Sequence, residues 1–290
     1  MNALSRSIEL EPRNEHFHFE AAGRRDWHSG DPVKTIFFNA LSVTFPEGEK
    51  FFMDSVKAYR DQIEDPVLRD QIKGFLMQEA MHTREHVGYN KELDAQGFSA
   101  TKLHLESRKL IQWTRRVFGP FRQLSVTCAL EHFTAMLADQ LMSDPAYLDG
   151  ADEVYRKVWL WHSVEEAEHK GVAFDTLRAV ATKNSYFLRC RSMIAVTLLF
   201  NYIIFRFAYV MLKDVGLSRS PKAWGNLAWF LLGKPGLYRR IFLPWLAYFK
   251  PGFHPWEHDN RRKLAETEEA LLGRPSVYAS ALEAQKAVPA

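Results

Sequence analysis

Glutamate and histidine recur along this chain at a spacing that suits metal coordination. Residues three or four apart share one face of a helix, so Glu79 with His82, and Glu166 with His169, each make a carboxylate–imidazole pair. A further histidine lies one turn from each pair, giving Glu79-x2-His82-x3-His86 and His162-x3-Glu166-x2-His169. Neither pair sits in a polar stretch. Leu68, Ile72, Phe75 and Leu76 lead on one helical face into Glu79, His82 and His86, and then to Tyr89 and Leu93. Tyr155, Val158, Ala173 and Val180 flank the second pair in the same way. An ionisable group in the middle of an apolar stripe must be neutralised, paired or bound to metal, because an unpaired buried charge costs several kcal/mol.

Two more acids stand in apolar stripes. Glu131 lies among Leu124, Thr127, Ala135, Ala138 and Met142, and Glu49 lies among Phe45, Phe52, Met53 and Val56. The order along the chain is therefore Glu, Glu-x-x-His, Glu, Glu-x-x-His, the set described for ferritin-like di-iron and di-manganese carboxylate bundles. With 21 Glu and 11 His among 290 residues, chance supplies about 0.8 Glu-x-x-His pairs. Three occur, counting Glu15-His18 in a polar stretch, so the weight rests on two pairs at mid-stripe on separate helices. Competing readings exist. Glu79, His82, Glu166 and His169 could form a buried salt-bridge network, and Glu131 could pair with an arginine. Glu49, like Glu47, could be an acid favoured by the first turn of a helix. His86 and His162 are either extra ligands or hydrogen-bond donors behind the ligands. Glu165 and His132 read as solvent-facing or as such supporting donors, Cys128 as core packing, and Arg115-Arg116 as a solvated face.

The elements that must position these groups are helices. Period-two alternation is scarce and apolar residues recur at helical spacing, so the class is all-α: a ferritin-like four-helix bundle with additional apolar C-terminal helices. The first bundle helix is expected to open at Pro46 and run towards Ile63, and the second to run from Asp65-Pro66 to Leu93, with Gly97 as its stop. A connecting helix is expected around Leu103–Trp113. The third follows Gly119-Pro120 and ends before Asp144-Pro145, and the fourth runs from near Asp152 to about Thr182. The expected organisation is a polar arm over 1–33, a metal-binding bundle over 34–185, an apolar helical extension over 186–270 packed on the bundle or on a membrane, and a tail over 271–290. Ile194–Leu212 carries one charge, Arg206, in nineteen residues, close to the roughly 20 needed to span a bilayer. A buried core helix, a peripheral membrane helix and a true span compete there, and Asn201 and Arg206 weigh against the span. The following oily stretch should split at Gly233-Lys234-Pro235-Gly236.

Composition narrows the classes. The chain is 47% hydrophobic and 25% charged with a net charge of +3, which fits a globular protein and excludes disordered and collagen-like ones. Two cysteines, Cys128 and Cys190, exclude a disulfide framework and a zinc site built from four thiolates. The slight basicity offers no nucleic-acid footprint. With no apolar leader in its first twenty residues, the chain reads as cytoplasmic, with the inner face of the membrane as an alternative address.

The stretches FNALSVTFPEGEKFF, FLMQEAMHTREH, ALEHFTA, WHSVEEAEHKGVAFD and YFKPGFHPW, spread over residues 35 to 258, resemble the bacterial family called "predicted metal-dependent hydrolase", placed with ferritin-like proteins. The resemblance implies metal ligands at Glu49, Glu79, His82, Glu131, Glu166 and His169. Two further histidines, His86 and His162, exceed the simplest ferritin-like site and resemble di-iron N-oxygenases with an additional imidazole. The expected function is a dinuclear, di-iron oxygenase acting with O2 on a hydrophobic or aromatic small molecule. Its centre would be two iron ions (manganese or zinc in their place), with Glu131 and Glu79 or Glu166 bridging, and an electron-donor protein as partner. The alternative is a metal-dependent hydrolase using a metal-activated water, and a third reading is a non-catalytic storage or interaction protein. Substrate and oligomeric state are not legible in the sequence.

Overall fold

A computed structural model describes residues 1–182, 185–273 and 275–279; of the expected tail, 274 and 280–290 lie outside the described residues. The described chain is helical, with one isolated bridge, His28 to Ala151, in place of any strand. Its α-helices are α1 (Ala3–Arg6), α2 (Pro32–Lys57), α3 (Pro66–Ala95), α4 (Ala100–Val117), α5 (Pro120–Ser143), α6 (Glu153–His169), α7 (Val172–Val180), α8 (Tyr186–Asp214), α9 (Pro221–Leu232), α10 (Leu237–Ala247) and α11 (Arg261–Leu272). The all-α expectation holds.

Local chemistry fixes the ends of the long helices. Asp31, Asp65 and Asp152 accept hydrogen bonds from the first free N–H groups of α2, α3 and α6, and proline occupies the opening turn of α2, α3 and α5, where its missing N–H costs nothing. α3 stops at Gly97, whose φ of +88° is the left-handed conformation. There Phe98 N–H bonds back to Leu93 C=O, closing the helix in the manner that favours glycine.

The first bundle helix departs from expectation. It opens at Pro32, not Pro46, and Pro46 lies in its interior. An interior proline leaves the carbonyl four residues earlier without a donor. Here that carbonyl belongs to Ser42, and Asn90 Nδ2 of α3 donates to it at 3.1 Å. The helix continues because its neighbour replaces the lost bond. Every residue from Thr35 to Val43 is buried, so this part of α2 has no side open to solvent, while Lys50, Asp54 and Lys57 are exposed further along; α2 packs on α3, α4, α5, α8 and α9. A helix enclosed in that way needs no polar stripe, and its start cannot be found by amphipathic periodicity.

The fourth helix is also shorter than expected. α6 ends at His169, and α7 begins after Lys170-Gly171. A Cβ on Gly171 would lie 2.9 Å from Trp256 Cδ1 and 3.1 Å from Ser5 Oγ, so the break is where the N-terminal segment and the 255–257 turn close on the bundle. Gly171→Ala should therefore lower stability by about 1–3 kcal/mol, the usual cost of forcing atoms into a packed core. A urea midpoint equal to wild type would show that Trp256 yields freely. α8 runs past both ends of the apolar stretch, and α9 and α10 are separated at 233–236 as the turn signal predicts.

Candidate metal centre

α2 packs on α3 and α5, α5 on α6, and α3 on α6, so four helices enclose a common interior. Into it α2 sends Glu49, α3 sends Glu79, His82 and His86, α5 sends Glu131, and α6 sends His162, Glu166 and His169. All eight side chains are buried. Glu79, His82 and His86 are spaced by three and four residues, and His162, Glu166 and His169 by four and three, so each trio follows one helical face.

The atoms converge in two groups. Glu79, His82, Glu166 and His169 each offer one ligand atom, all within 4.8 Å of one another, and Glu49, His86 and His162 do the same. In the first group His82 Nδ1 is 3.9 Å from Glu79 Oε2 and from Glu166 Oε1. His169 Nε2 is 3.8 Å from Glu79 Oε1 and 3.9 Å from Glu166 Oε1. Ligands bound about 2.1 Å from one cation stand roughly 3–4 Å apart, so these separations suit an ion between them. The second group is linked to the first by hydrogen bonds: Ser42 Oγ to His86 Nδ1 at 2.9 Å, His86 Nε2 to His162 Nδ1 at 2.8 Å, and His162 Nε2 to Glu166 Oε1 at 3.0 Å.

The far sides of two imidazoles meet carboxylates. His169 Nδ1 is 3.0 Å from Glu131 Oε2, a hydrogen bond, and His82 Nε2 lies 3.0 Å from Glu165 Oε2 as an ion-pair contact without hydrogen-bond geometry. A carboxylate behind a metal-binding imidazole fixes its ring and tautomer. Glu131 thus reaches the first group through His169, while its Oε1 has no hydrogen-bond partner among the described residues. Glu165 is not solvent-facing. It is fully buried, and Arg13 N–H donates to its Oε1 at 2.7 Å. His132, the other residue expected at the surface or behind the ligands, is neither; it is buried against Tyr248 and the carbonyl of Pro244. Glu47 pairs with His104 at 3.3 Å, while Arg115 at the surface pairs with Asp54. Cys128 packs in the core.

Electrostatics separates a cation site from a salt-bridge network. Among the described residues no Lys or Arg makes an ion pair with Glu49, Glu79, Glu131 or Glu166; the basic groups within 4.0 Å of Glu79, Glu131 and Glu166 are imidazoles. Burial pushes the Glu79 carboxyl well above the usual carboxylate range, and neighbouring Glu131 and Glu166 add to it. Burial does the same to Glu49, with Glu166 and Glu131 again adding and the Thr83 hydroxyl opposing. Burial holds His82 and His86 well below the ordinary imidazole value. Glu166 resists its own burial because His169 and His162 face it, and it stays below the usual carboxylate value. Both Glu79 oxygens, both His82 nitrogens, His169 Nε2 and Glu49 Oε1 lack hydrogen-bond partners among the described residues. Carboxylates accept but do not donate, so Glu79 and Glu131 can share their space only around a proton or a cation. Native interiors rarely leave so many polar atoms unpaired. The donor set, acids with imidazoles and no thiolate, suits iron, manganese or zinc.

Two apolar cavities border the centre. One of about 30 Å3 touches His162 and Glu166 among Phe37, Phe38 and Leu41. The other, about 110 Å3, touches Glu49 and runs between α2, α4, α5 and α8, past Phe51 and Phe52 to Leu199 and Ile203. Phe45 and Thr134 line both. Thr134 also donates to Glu166 Oε2, and Thr83 donates to Glu49 Oε2 at 2.9 Å. These hydroxyls hold one oxygen of each acid and leave the other facing inward.

Arg13 is the functional neighbour that periodicity misses. Its guanidinium is buried, with Nη2 at 2.6 Å from Glu168 Oε1 and 2.7 Å from Glu268 Oε1, and Gln78 Nε2 donates to Glu168 Oε2 at 2.7 Å. No amphipathic pattern marks a residue in an irregular segment. The EEAEH run does carry a signal, since acids at 165, 166 and 168 cannot all share one helical face, and those facing away from the centre need a cation of their own.

A family model described as "predicted metal-dependent hydrolase" matches residues 11–259. No curated protein and no solved structure matches the chain.

Proposed function

This chain belongs to the predicted metal-dependent hydrolase family, and on that premise we propose that it is a hydrolase with two cations bound between its helices, acting on a small hydrophobic substrate. Glu79, His82, Glu166 and His169 would hold one cation, and Glu49, His86 and His162 the other, in place of the hydrogen bond between the His86 and His162 rings, with Glu131 and Glu165 supporting the rings of His169 and His82. The observation that carries the reading is the set of buried acids and imidazoles with unpaired atoms and no Lys or Arg to neutralise them. Bound divalent cations supply an acidified water and polarise an ester, amide or phosphate. The chain's own side chains do the rest. Phe45, Phe51 and Phe52 keep bulk water from the cavity beside Glu49 and leave an apolar slot for a substrate tail. Glu49 stands where cavity and centre meet, with Oε1 unpaired, so of the residues that would hold the cations it is the one whose free oxygen borders the substrate slot. Thr83 and Thr134 keep Glu49 and Glu166 from turning away.

The test uses full-length protein stripped with chelator and reloaded with zinc or manganese, assayed on nitrophenyl esters of increasing acyl length. Turnover should require the cation, proceed without O2, and fall about 10-fold or more in Glu49→Gln. Metal-independent turnover, or none with any ester, amide or phosphate ester, would end the hydrolytic reading. One observation favours a second reading: the alternation of Glu and Glu-x-x-His over four helices is the ferritin-like di-iron pattern. If the protein retains iron, and substrate is consumed only with O2 and a reductant, the oxygenase reading takes its place.

A further inference from the structure

α8 is long and apolar enough to cross a bilayer, with a mean hydropathy of 1.8, yet 39% of its apolar window is buried in the protein. Its inward side, including Met193, Phe200, Ile204 and Phe207, is buried in the core against α2 and α5. Protein therefore covers one side of α8 along its length and leaves the other open, the arrangement of a helix lying along a surface. Its outward side is also apolar: Phe187, Leu198, Tyr202, Phe205 and Tyr209 follow each other at helical spacing and are exposed, Leu198 at 70%. Arg191 and Lys213, both exposed, lie near its two ends, roughly 33 Å apart. α10 adjoins it, since Trp245 Nε1 donates to Thr197 Oγ1 at 2.8 Å, and α9 packs on α10. These two helices expose Trp229 and Leu243, the latter at 71%.

Charge decides what covers this face. Residues 186–250 contain ten Lys or Arg and a single acid, Asp214; Arg189 is buried and Arg206 and Arg240 pair with Glu106 and Asp144, which leaves seven exposed cations, Arg191 and Lys213 among them. A second copy of the same face would bring two strongly positive surfaces together. An anionic lipid surface attracts it, and aromatic rings flanked by basic side chains are the chemistry of a helix lying in the interface plane. We propose that the exposed face of α8, α9 and α10 docks on an anionic bilayer surface, with α8 lying along it. The docking stands whatever the chemistry at the metal centre. It also places Leu199 and Ile203, the α8 wall of the larger cavity, beside the lipid.

The test is sedimentation of the full chain with vesicles of phosphatidylcholine alone and of phosphatidylcholine mixed with phosphatidylglycerol, at low and high salt. The protein should pellet with the anionic vesicles and release as salt rises. Leu198→Glu with Leu243→Glu should weaken partitioning at least about 10-fold. Arg191→Ser with Lys213→Ser, which leaves the apolar face intact, should keep the wild-type melting curve and lose part of the salt-sensitive binding. Folded protein that ignores anionic vesicles overturns the proposal. So does a dimer seen by light scattering that the glutamate variants dissociate, since a second copy then covers the face.

Discussion

Glu79→Ala protein should retain at least one cation equivalent per chain less than wild type when both are purified without chelator and measured by elemental analysis. The stability readout separates this from the loss of a salt bridge. In a buried network of paired charges, removing one partner destabilises by about 3–5 kcal/mol. At this centre Glu79 faces Glu131 and Glu166 with no Lys or Arg against it, and the two acids raise its carboxyl further above its ordinary range after burial has done so. Removing it relieves the metal-free chain of a buried acid. Glu79→Ala should thus melt no lower than chelator-treated wild type, while losing the stabilisation that added metal gives wild type, about 4 kcal/mol at a free concentration 1,000-fold above Kd. A variant that melts well below stripped wild type and still binds the full metal complement would return the site to the salt-bridge account.

Metal uptake should depend on pH with a definite sign. Burial alone would lower the His169 value, but Glu131 and Glu166 outweigh it and raise it to about 9. A cation reaching His169 Nε2 must therefore displace a proton, and affinity should fall as pH is lowered from about 9, approaching tenfold per unit for each proton displaced. Isothermal titration in buffers of different ionisation enthalpy counts the released protons, and a count of zero at pH 7 would remove His169 from the ligand set. Glu165→Gln, which keeps the shape behind His82 but not the charge, should weaken binding by about 10–100-fold without abolishing it.

How far the sequence reaches depends on the kind of signal. Glu79, His82, Glu166 and His169 are legible because each interrupts an apolar stripe whose period the helix itself imposes, and α3 and α5 carry start and stop residues close to their observed ends. The start of α2 is hidden for the converse reason. Buried at every residue from Thr35 to Val43, it has no polar face there, and Pro46 offers a false opening that only Asn90, a residue of another helix, makes compatible with an unbroken one. Glu165 misleads because one helical position is about 100°: turned away from Glu166 it reads as solvent-facing, and it turns instead into a second interior occupied by Arg13. The end of α6 at His169 depends on Trp256 and Ser5 closing over Gly171, contacts between residues too distant in sequence for any local pattern.

Arg13→Met should produce a large loss of stability from a single change outside the centre. The Arg13 guanidinium meets Glu168 and Glu268 and lies 3.6 Å from Glu165 Oε1, with all four side chains buried. Methionine fills much of the same volume but leaves three acids with no fixed cation, and breaking a buried pair on one side costs about 3–5 kcal/mol. In a chain of this size that corresponds to a melting point lower by on the order of 5–10 °C. The effect should carry into the centre. Glu165, already pushed up to about 8 by burial and by Glu168 although Arg13 opposes both, would be held higher still without Arg13. With its carboxylate form scarcer still, it supports the His82 ring less firmly, so metal affinity should drop together with stability, by up to the roughly 10–100-fold expected for Glu165→Gln. Arg13→Lys restores a charge but not the fork that reaches Glu168 and Glu268 together, and should recover only part of each loss. If Arg13→Met lowers the melting point but leaves metal affinity at the wild-type value, the N-terminal segment is a structural clasp alone, and the link from Arg13 through Glu165 to His82 is broken.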